Sequence, residues 1–410
     1  MFDPGEIYLP DFDYPLPADR IAQYPLAERD ASRLLIYESG MIRQEMFSSL
    51  DRFLPDRSLL VFNDTKVFRA RILFPKSTGT RIELFCLEPV SPVSEIQQAF
   101  LVRGSCTWKC LVGNLKRWKS GDLVKEVLVD GEPVSLFASR KENLGEGCFT
   151  IGFRWDPSEL SFSDVLVKTG QVPLPPYISR ETVPSDSLRY QTIYAENEGS
   201  VAAPTAGLHF TERIFQKLRE KRCLFEKVTL HVGVGTFRPV SGPGISDHIM
   251  HREKIMVKRK AIKSILDHLG EPVIAVGTTS ARTIESLYWL GVKLARDKNL
   301  DNLTVGQWEA YHYQEAERIP VRAALETLVE YLASHHQQVC SGETQLMIVP
   351  GYRFRLVSGL ITNFHMPQST LLLLVAALIG NEWKNAYMFA LDKDFRFLSY
   401  GDACLFFKNV

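Results

Sequence analysis

The chain has no long apolar run. The longest, Leu371 to Ile379, is nine residues, against the roughly 20 that a helix needs to cross a bilayer. Nor is there an excess of charge of either sign. Lys plus Arg and Asp plus Glu each number 48, so a polyanion would have to meet a local patch rather than a generally basic protein. Cysteine is sparse. The seven cysteines are odd in number and scattered without CxxC spacing, which argues against a disulfide scaffold and fits a reduced, cytoplasmic protein. The first residues, MFDPGEIYLPDFDYP, are acidic and lack a basic stretch followed by an apolar one, so no secretory signal is expected. HExxH, the Lys-Ser/Thr ending of a P-loop and G-x-S-x-G are also missing, which removes the simplest signatures of zinc, nucleotide and serine-nucleophile chemistry.

What is present is an ordinary globular composition, 45% apolar and 23% charged over 410 residues. Single cores stop growing at about 250–300 residues, so two domains are expected. From about Arg69 to Phe153 the chain offers short alternating or β-branched runs: Thr80 to Leu87, Ala99 to Val102, Leu123 to Val129, Val134 to Phe137 and Cys148 to Phe153. Asp130-Gly131 between two of them is a hairpin signal. Such spacing predicts a small β barrel or sandwich. After Asp156, apolar strands such as Val228 to Val232, Val273 to Val276 and Leu356 to Ile361 alternate with helical segments, which predicts an α/β layer fold. Leu59 to Phe62 also reads as a buried strand, so the β module is expected as an insert. The expected fold class is an α/β main domain with an inserted small all-β barrel domain: residues 1–67 and 158–410 form the former and 68–157 the latter. Residues 291–341 read as a polar, helical insertion.

Three strand-to-helix junctions and one loop carry chemical interest, because ligands of open α/β sheets sit beyond the carboxyl ends of strands. In PVIAVGTTSARTIES, Pro272 to Ser286, a strand ends at Gly277 and presents Thr278, Thr279, Ser280 and then Arg282. Hydroxyls there either cap the helix or face a ribose, carboxylate or phosphate. In LITNFHMPQSTLLLLVAALI, Leu360 to Ile379, Asn363 and His365 precede a helix apolar on nearly all sides. A helix of that kind belongs to the core, so its polar entry loop is where a site would lie, unless His365 is a structural histidine. TLHVGVGTFRP, Thr229 to Pro239, puts His231 before a Gly-x-Gly turn. The loop Tyr190 to Thr211 contains Pro204, Thr205, Gly207 and His209 ahead of a helix that Thr211 would cap. His209 there is either a ligand contact or a satisfied core histidine.

His248 and His251 have the i, i+3 spacing of some metal-ligand pairs, but no carboxylate-histidine signature accompanies them, so no metal is expected. Basic clusters exist despite the neutral balance. Arg252 to Lys263, REKIMVKRKAIK, has six basic residues and one acidic, with Lys258, Arg259 and Lys260 adjacent, and Lys116-Arg117-Trp118-Lys119 places an aromatic among cations. Either cluster is a solvated face or a phosphate-contacting surface.

Ten segments in order carry a family resemblance. They are DFDYPLPADRIAQYPLAERDASRLL (Asp11 to Leu35), VFNDTKV (Val61 to Val67), QVPLPPYISR (Gln171 to Arg180), RYQTIYA (Arg189 to Ala195), GSVAAPTAGLHFT (Gly199 to Thr211), TLHVGVGTFRPV (Thr229 to Val240), AVGTTSARTIES (Ala275 to Ser286), PGYRF (Pro350 to Phe354), LITNFHMPQSTLLLLVAALIG (Leu360 to Gly380) and RFLSYGDA (Arg396 to Ala403). Together they resemble the S-adenosylmethionine:tRNA ribosyltransferase-isomerase family of queuosine biosynthesis over nearly the whole chain. Phe68-Arg69 stands where that family is expected to have an apolar-Pro pair, and residues 291–341 are longer than its norm.

The resemblance implies transfer and isomerisation of the ribosyl part of S-adenosylmethionine onto 7-aminomethyl-7-deazaguanine at the wobble position of a tRNA with a GUN anticodon. Epoxyqueuosine-tRNA, adenine and methionine are the implied products, with S-adenosylmethionine as co-substrate and neither a metal nor a second cofactor. The sulfonium acidifies the adjacent ribose carbon, so a neutral histidine or a carboxylate suits the proton transfer. The expected roles are His209 or His365 as acid/base, Asp64 as partner of the aminomethyl cation, and Thr278, Thr279, Ser280 and Arg282 on the adenosyl or methionine end. Thr205 and Asn363 are expected to bind substrate, and Lys258, Arg259 and Lys260 to meet tRNA. Two other readings stay open from the residues alone: an RNA-binding module without catalysis, and a methyltransferase that would release S-adenosylhomocysteine.

Overall fold

The computed structural model describes residues 7–409 other than 77–78, 130, 234–243, 247, 299, 301 and 313–318. Leu59–Asn63, Val273–Val276 and Gly359–Asn363 are buried at every position, as strands covered on both faces must be. With Leu224–Leu230 they form the parallel centre of a ten-stranded mixed sheet. From one edge the order is Thr304–Val305, Val339–Thr344, Glu253–Lys258, Leu224–Leu230, Leu59–Asn63, Val273–Val276, Gly359–Asn363, Ala403–Phe407, Arg33–Glu38 and Met41–Met46. The carboxyl ends of the four central strands, at Asn63, Leu230, Val276 and Asn363, lie on one side of the sheet.

A second, seven-stranded sheet is antiparallel throughout and runs Gly170–Gln171, Arg71–Pro75, Arg81–Ser91, Ser105–Gly113, Cys148–Asp156, Glu132–Gly145, Leu123–Val129. Its core packs Trp108 and Trp155 on Phe162, with ring centroids 5.3 and 5.4 Å apart. The sheet curls until Lys125 Nζ of the last strand donates to Thr169 O beside the first, at 2.7 Å. The expected hairpin is present in its flanks, Val129 pairing with Glu132, although Asp130 itself lies outside the described residues. The molecule is thus a mixed α/β fold with a curled antiparallel sheet.

Two expected strands are displaced. Ala99 to Val102 is instead the end of a helix, Ile96–Leu101, because the Glu95 carboxylate accepts from Gln98 N–H as a cap while Ala99 and Phe100 turn into the core. The strand expected from Leu356 begins only at Gly359. The buried Glu285 carboxylate accepts from the N–H groups of Arg355, Leu356 and Val357, so those donors do not enter a ladder.

Residues 291–341 combine the end of the long helix Thr278–Arg296, the short edge strand Thr304–Val305 and the helices Glu309–His312 and Val321–Ser334. Residues 299, 301 and 313–318 of this stretch lie outside the described ones. Gly291 lets the two longer helices cross at contact distance: a Cβ there would lie 2.1 Å from Ala324 O.

Candidate active site

The Thr278–Arg296 helix starts without a side-chain cap. Its N-cap is Gly277 at φ 90°, and none of the three hydroxyls that follow caps the free N–H groups. The ordinary capping role is therefore excluded for Thr278, Thr279 and Ser280. Ser280 Oγ turns back to donate to Val276 O at 2.8 Å and is fully buried. Thr279 Oγ1 accepts from Asn63 Nδ2 at 3.1 Å. Gly277, Thr278, Thr279 and Arg282 all face a cavity of about 420 Å³ beyond the carboxyl ends of the central strands. A helix N-terminus that presents uncapped N–H groups to a cavity favours an anionic or polar ligand atom.

The opposite wall comes from the Gly359–Asn363 strand and the loop after it, from Thr362 to Leu371. Ser369 caps the following helix by accepting from Leu372 N–H. His365 lines the cavity and is 9% exposed. Its Nε2 is 2.9 Å from Thr362 Oγ1. Its backbone is held on both sides, the N–H donating to Tyr387 Oη at 3.1 Å and the carbonyl accepting from Tyr14 Oη. Burial pushes the imidazole down to about 3, so it is neutral near pH 7.

His209 lies behind this wall rather than in it. Its Nδ1 is 2.8 Å from Ser32 Oγ and its Nε2 is 3.1 Å from Asn363 Nδ2, with Phe47 packed at 5.1 Å. Burial pushes it down to about 4. Asn363 Nδ2 also donates to Asp402 O at 3.4 Å. A carbonyl only accepts, so that contact fixes the amide orientation. Nε2 of His209 is then the acceptor and Nδ1 carries the proton. Asn363 lines the cavity, and its Oδ1 is buried without a hydrogen-bond partner among the described residues.

The remaining walls contain Tyr177, Tyr190, Thr205 and Ser399, so segments far apart in the chain converge on one space. Tyr177 Oη is 2.6 Å from Ser399 Oγ, which joins two of them. The loop before the Glu212–Glu220 helix supplies Ala202 to Ala206, and Thr211 caps that helix through Ile214 N–H as expected. Thr205 is in the lining.

Other expected site residues lie elsewhere. Asp64 is buried at the joint of two strands, where Oδ1 accepts from Thr229 Oγ1 at 2.6 Å and Oδ2 from Asn197 Nδ2 at 3.0 Å, and it is not in the cavity lining. Lys258 and Lys260 are exposed and Arg259 half-buried, at the end of the Glu253–Lys258 strand remote from the cavity. His231 Nδ1 is 2.9 Å from Thr65 Oγ1. Of the Gly-x-Gly turn that follows, Gly235 lies outside the described residues.

The residue that sequence reasoning missed is Glu253. It lines the cavity and pairs with Arg282 Nη1, both being 6% exposed. Its signal was visible as the one acid in a basic stretch. His248 and His251 also line the cavity, and among the described residues no three His, Cys, Asp or Glu side chains converge as a metal-ligand set.

A family model described as queuosine biosynthesis protein matches residues 9–406. The S-adenosylmethionine:tRNA ribosyltransferase-isomerase of Trichlorobacter lovleyi is 38% identical over 400 residues, covering 96% of this chain and 98% of that one. Its counterpart in Halothermothrix orenii is 37% identical over 401 residues, with 96% and 98% covered. Among solved structures, the S-adenosylmethionine tRNA ribosyltransferase from Thermotoga maritima is 27% identical, covering 97% of this chain and 99% of its own, at a TM-score of 0.45. With a family model spanning nearly every residue and relatives matched end to end, the chain belongs to the queuosine biosynthesis protein family.

Proposed function

We propose that this chain is an S-adenosylmethionine:tRNA ribosyltransferase-isomerase. It moves the ribosyl part of S-adenosylmethionine onto 7-aminomethyl-7-deazaguanine at the wobble position of a GUN-anticodon tRNA, and adenine and methionine leave. The observation that carries this reading is the cavity beyond the parallel strands, where segments that carry the family resemblance come together. Its polar atoms suit a ligand that is cationic at one point, apolar in part and hydrogen-bonding at both ends. The reading calls on no metal and no second cofactor.

The chemistry turns on proton removal next to the sulfonium, followed by rearrangement of the ribose to an epoxide-bearing ring as adenine departs. His365 is the acid/base group of this reading, since it is neutral and faces the cavity. Its low basicity reduces the driving force for proton transfer, so positioning against an acidified C–H must supply the difference. His209 acts through Asn363, whose Oδ1, unpartnered among the described residues, accepts from a substrate N–H or O–H. Thr205, Thr278 and Thr279 bind the co-substrate, while Ser280 and Asp64 support the walls.

Lys258, Arg259 and Lys260 contribute to tRNA binding from outside the cavity. We read residues 68–157 as the inserted β-barrel domain, set into a main domain of residues 1–67 and 158–410. Six strands of the curled sheet fall between Arg71 and Asp156, which supports that division. Among the described residues no helix is long and apolar enough to cross a membrane, and a cytoplasmic location suits the tRNA substrate. Product analysis after incubation with S-adenosylmethionine and tRNA bearing the aminomethyl base tests the reading: adenine and methionine are expected, and S-adenosylhomocysteine without adenine would refute it.

A further inference from the structure

Arg282 and Glu253 form an ion pair with both residues only 6% exposed, in the wall of the cavity. Arg282 Nε donates to Leu346 O at 3.0 Å and Nη1 to Glu253 Oε2. Nη2 is buried and has no partner among the described residues. A buried ion pair is weak evidence for stability, since apolar residues of like volume often serve the fold as well. A guanidinium N–H left without an acceptor makes the arrangement worse for folding alone. Both features are resolved by a ligand that brings an anion to Nη2 and a cation to the carboxylate of Glu253. Arg282 lies one helical turn beyond Thr278, so the uncapped N–H groups of the helix start flank the same space and favour the same anion.

We propose that Arg282 and Glu253 form a clamp for an α-amino-acid zwitterion, the methionyl end of S-adenosylmethionine. The carboxylate takes Nη2 and the helix N-terminus, and the ammonium faces Glu253. This rests on the functional reading above and assigns which end of the co-substrate lies where. Arg282 is suited to the role because its planar fork holds Glu253 and a second carboxylate at once, which a lysine ammonium cannot do with the same geometry. The adenosyl part is then left to the wall formed by Thr205, Asn363 and the loop around His365.

The test compares binding of S-adenosylmethionine with its decarboxylated analogue, which keeps the amine, sulfonium and adenosine. Titration calorimetry is run on the full chain, free and with a tRNA carrying plain guanine at the wobble position, which offers no aminomethyl nucleophile. The wild type should prefer S-adenosylmethionine by about 10- to 100-fold, the range for one charged hydrogen-bonded contact. Arg282→Lys keeps a cation beside Glu253 and should erase most of that preference. Glu253→Gln should weaken both ligands alike and retain the preference. Melting curves identify any variant that fails to fold, and the wild-type comparison stands without variants. Equal wild-type affinity for the two ligands, or a preference unchanged in Arg282→Lys, overturns the clamp. Wild-type binding of neither ligand overturns the functional reading, and the clamp with it.

Discussion

Asn363 stands between His209 and the cavity: its Nδ2 donates to His209 Nε2 at 3.1 Å, while its Oδ1 is buried and unpartnered among the described residues. The Asp402 carbonyl on the same Nδ2 holds the amide in this orientation. His209 therefore serves as an acceptor that aims a neighbour. Glutamine retains a carbonyl acceptor, so His209→Gln should keep turnover within about tenfold of wild type and alter the KM for S-adenosylmethionine more than kcat. His209→Leu should lose the acceptor, lower stability by about 1–3 kcal/mol and reduce turnover more than His209→Gln does. A collapse of kcat in His209→Gln with an unchanged melting temperature would instead make His209 a chemical group.

His365 is the contrasting case, since it faces the cavity directly. His365→Gln preserves polarity but removes the titrating nitrogen pair, and kcat should fall about 10²–10⁴-fold. The melting temperature should change little. If activity instead falls only in proportion to folded protein, His365 is structural and the proton acceptor must be sought among other cavity groups.

Acid sensitivity follows from three desolvated histidines, His209 and His365 buried and His231 half-buried. Burial pushes His209 and His231 down to about 4 and His365 down to about 3, below the roughly 6.5 of an unfolded chain. Between these values the unfolded state binds protons that the folded state does not, so stability falls as pH falls. Each histidine contributes a slope of up to about 1.4 kcal/mol per pH unit, starting below about pH 6.5 and ending near its folded value. Denaturant midpoints measured from pH 7 to 4.5 should decline, and His209→Gln should flatten the decline. A pH-independent midpoint over this range would mean that these imidazoles titrate normally.

The basic stretch is tested by salt. Lys258, Arg259 and Lys260 changed together to Ala should weaken tRNA binding and leave S-adenosylmethionine affinity intact, because none of the three lines the cavity. For every phosphate that these side chains neutralise, their removal should lower the slope of log K against log salt by about 0.7–0.9. An unchanged slope would identify a merely solvated face.

The parallel centre of the large sheet was legible because Leu59 to Phe62 and Val273 to Val276 are unbroken apolar runs, and their carboxyl ends did locate the cavity. Thr278, Thr279, Arg282, Asn363 and His365 reach it because each lies at or beyond the carboxyl end of Val273–Val276 or Gly359–Asn363. Periodicity could not reveal that Ser280 turns back on Val276 O, since a hydroxyl's partner depends on rotamer and helix start. Asp64 and His209 fell behind the walls for a related reason: a polar residue in a loop is equally able to hold that loop or to touch a ligand, and only their partners Thr229, Asn197 and Ser32 separate the two. Glu253 was hidden because its partner Arg282 is 29 residues away in sequence.

The central claim is that the ribosyl carbons, and not the methyl group, pass to tRNA. S-adenosylmethionine labelled separately in the ribose and in the S-methyl group distinguishes the two when incubated with this protein and tRNA bearing the aminomethyl-deazaguanine. The ribose label should enter tRNA, with the methyl label recovered as free methionine and one adenine released per ribose transferred. Methyl label in tRNA, accompanied by S-adenosylhomocysteine and no free adenine, would contradict the account.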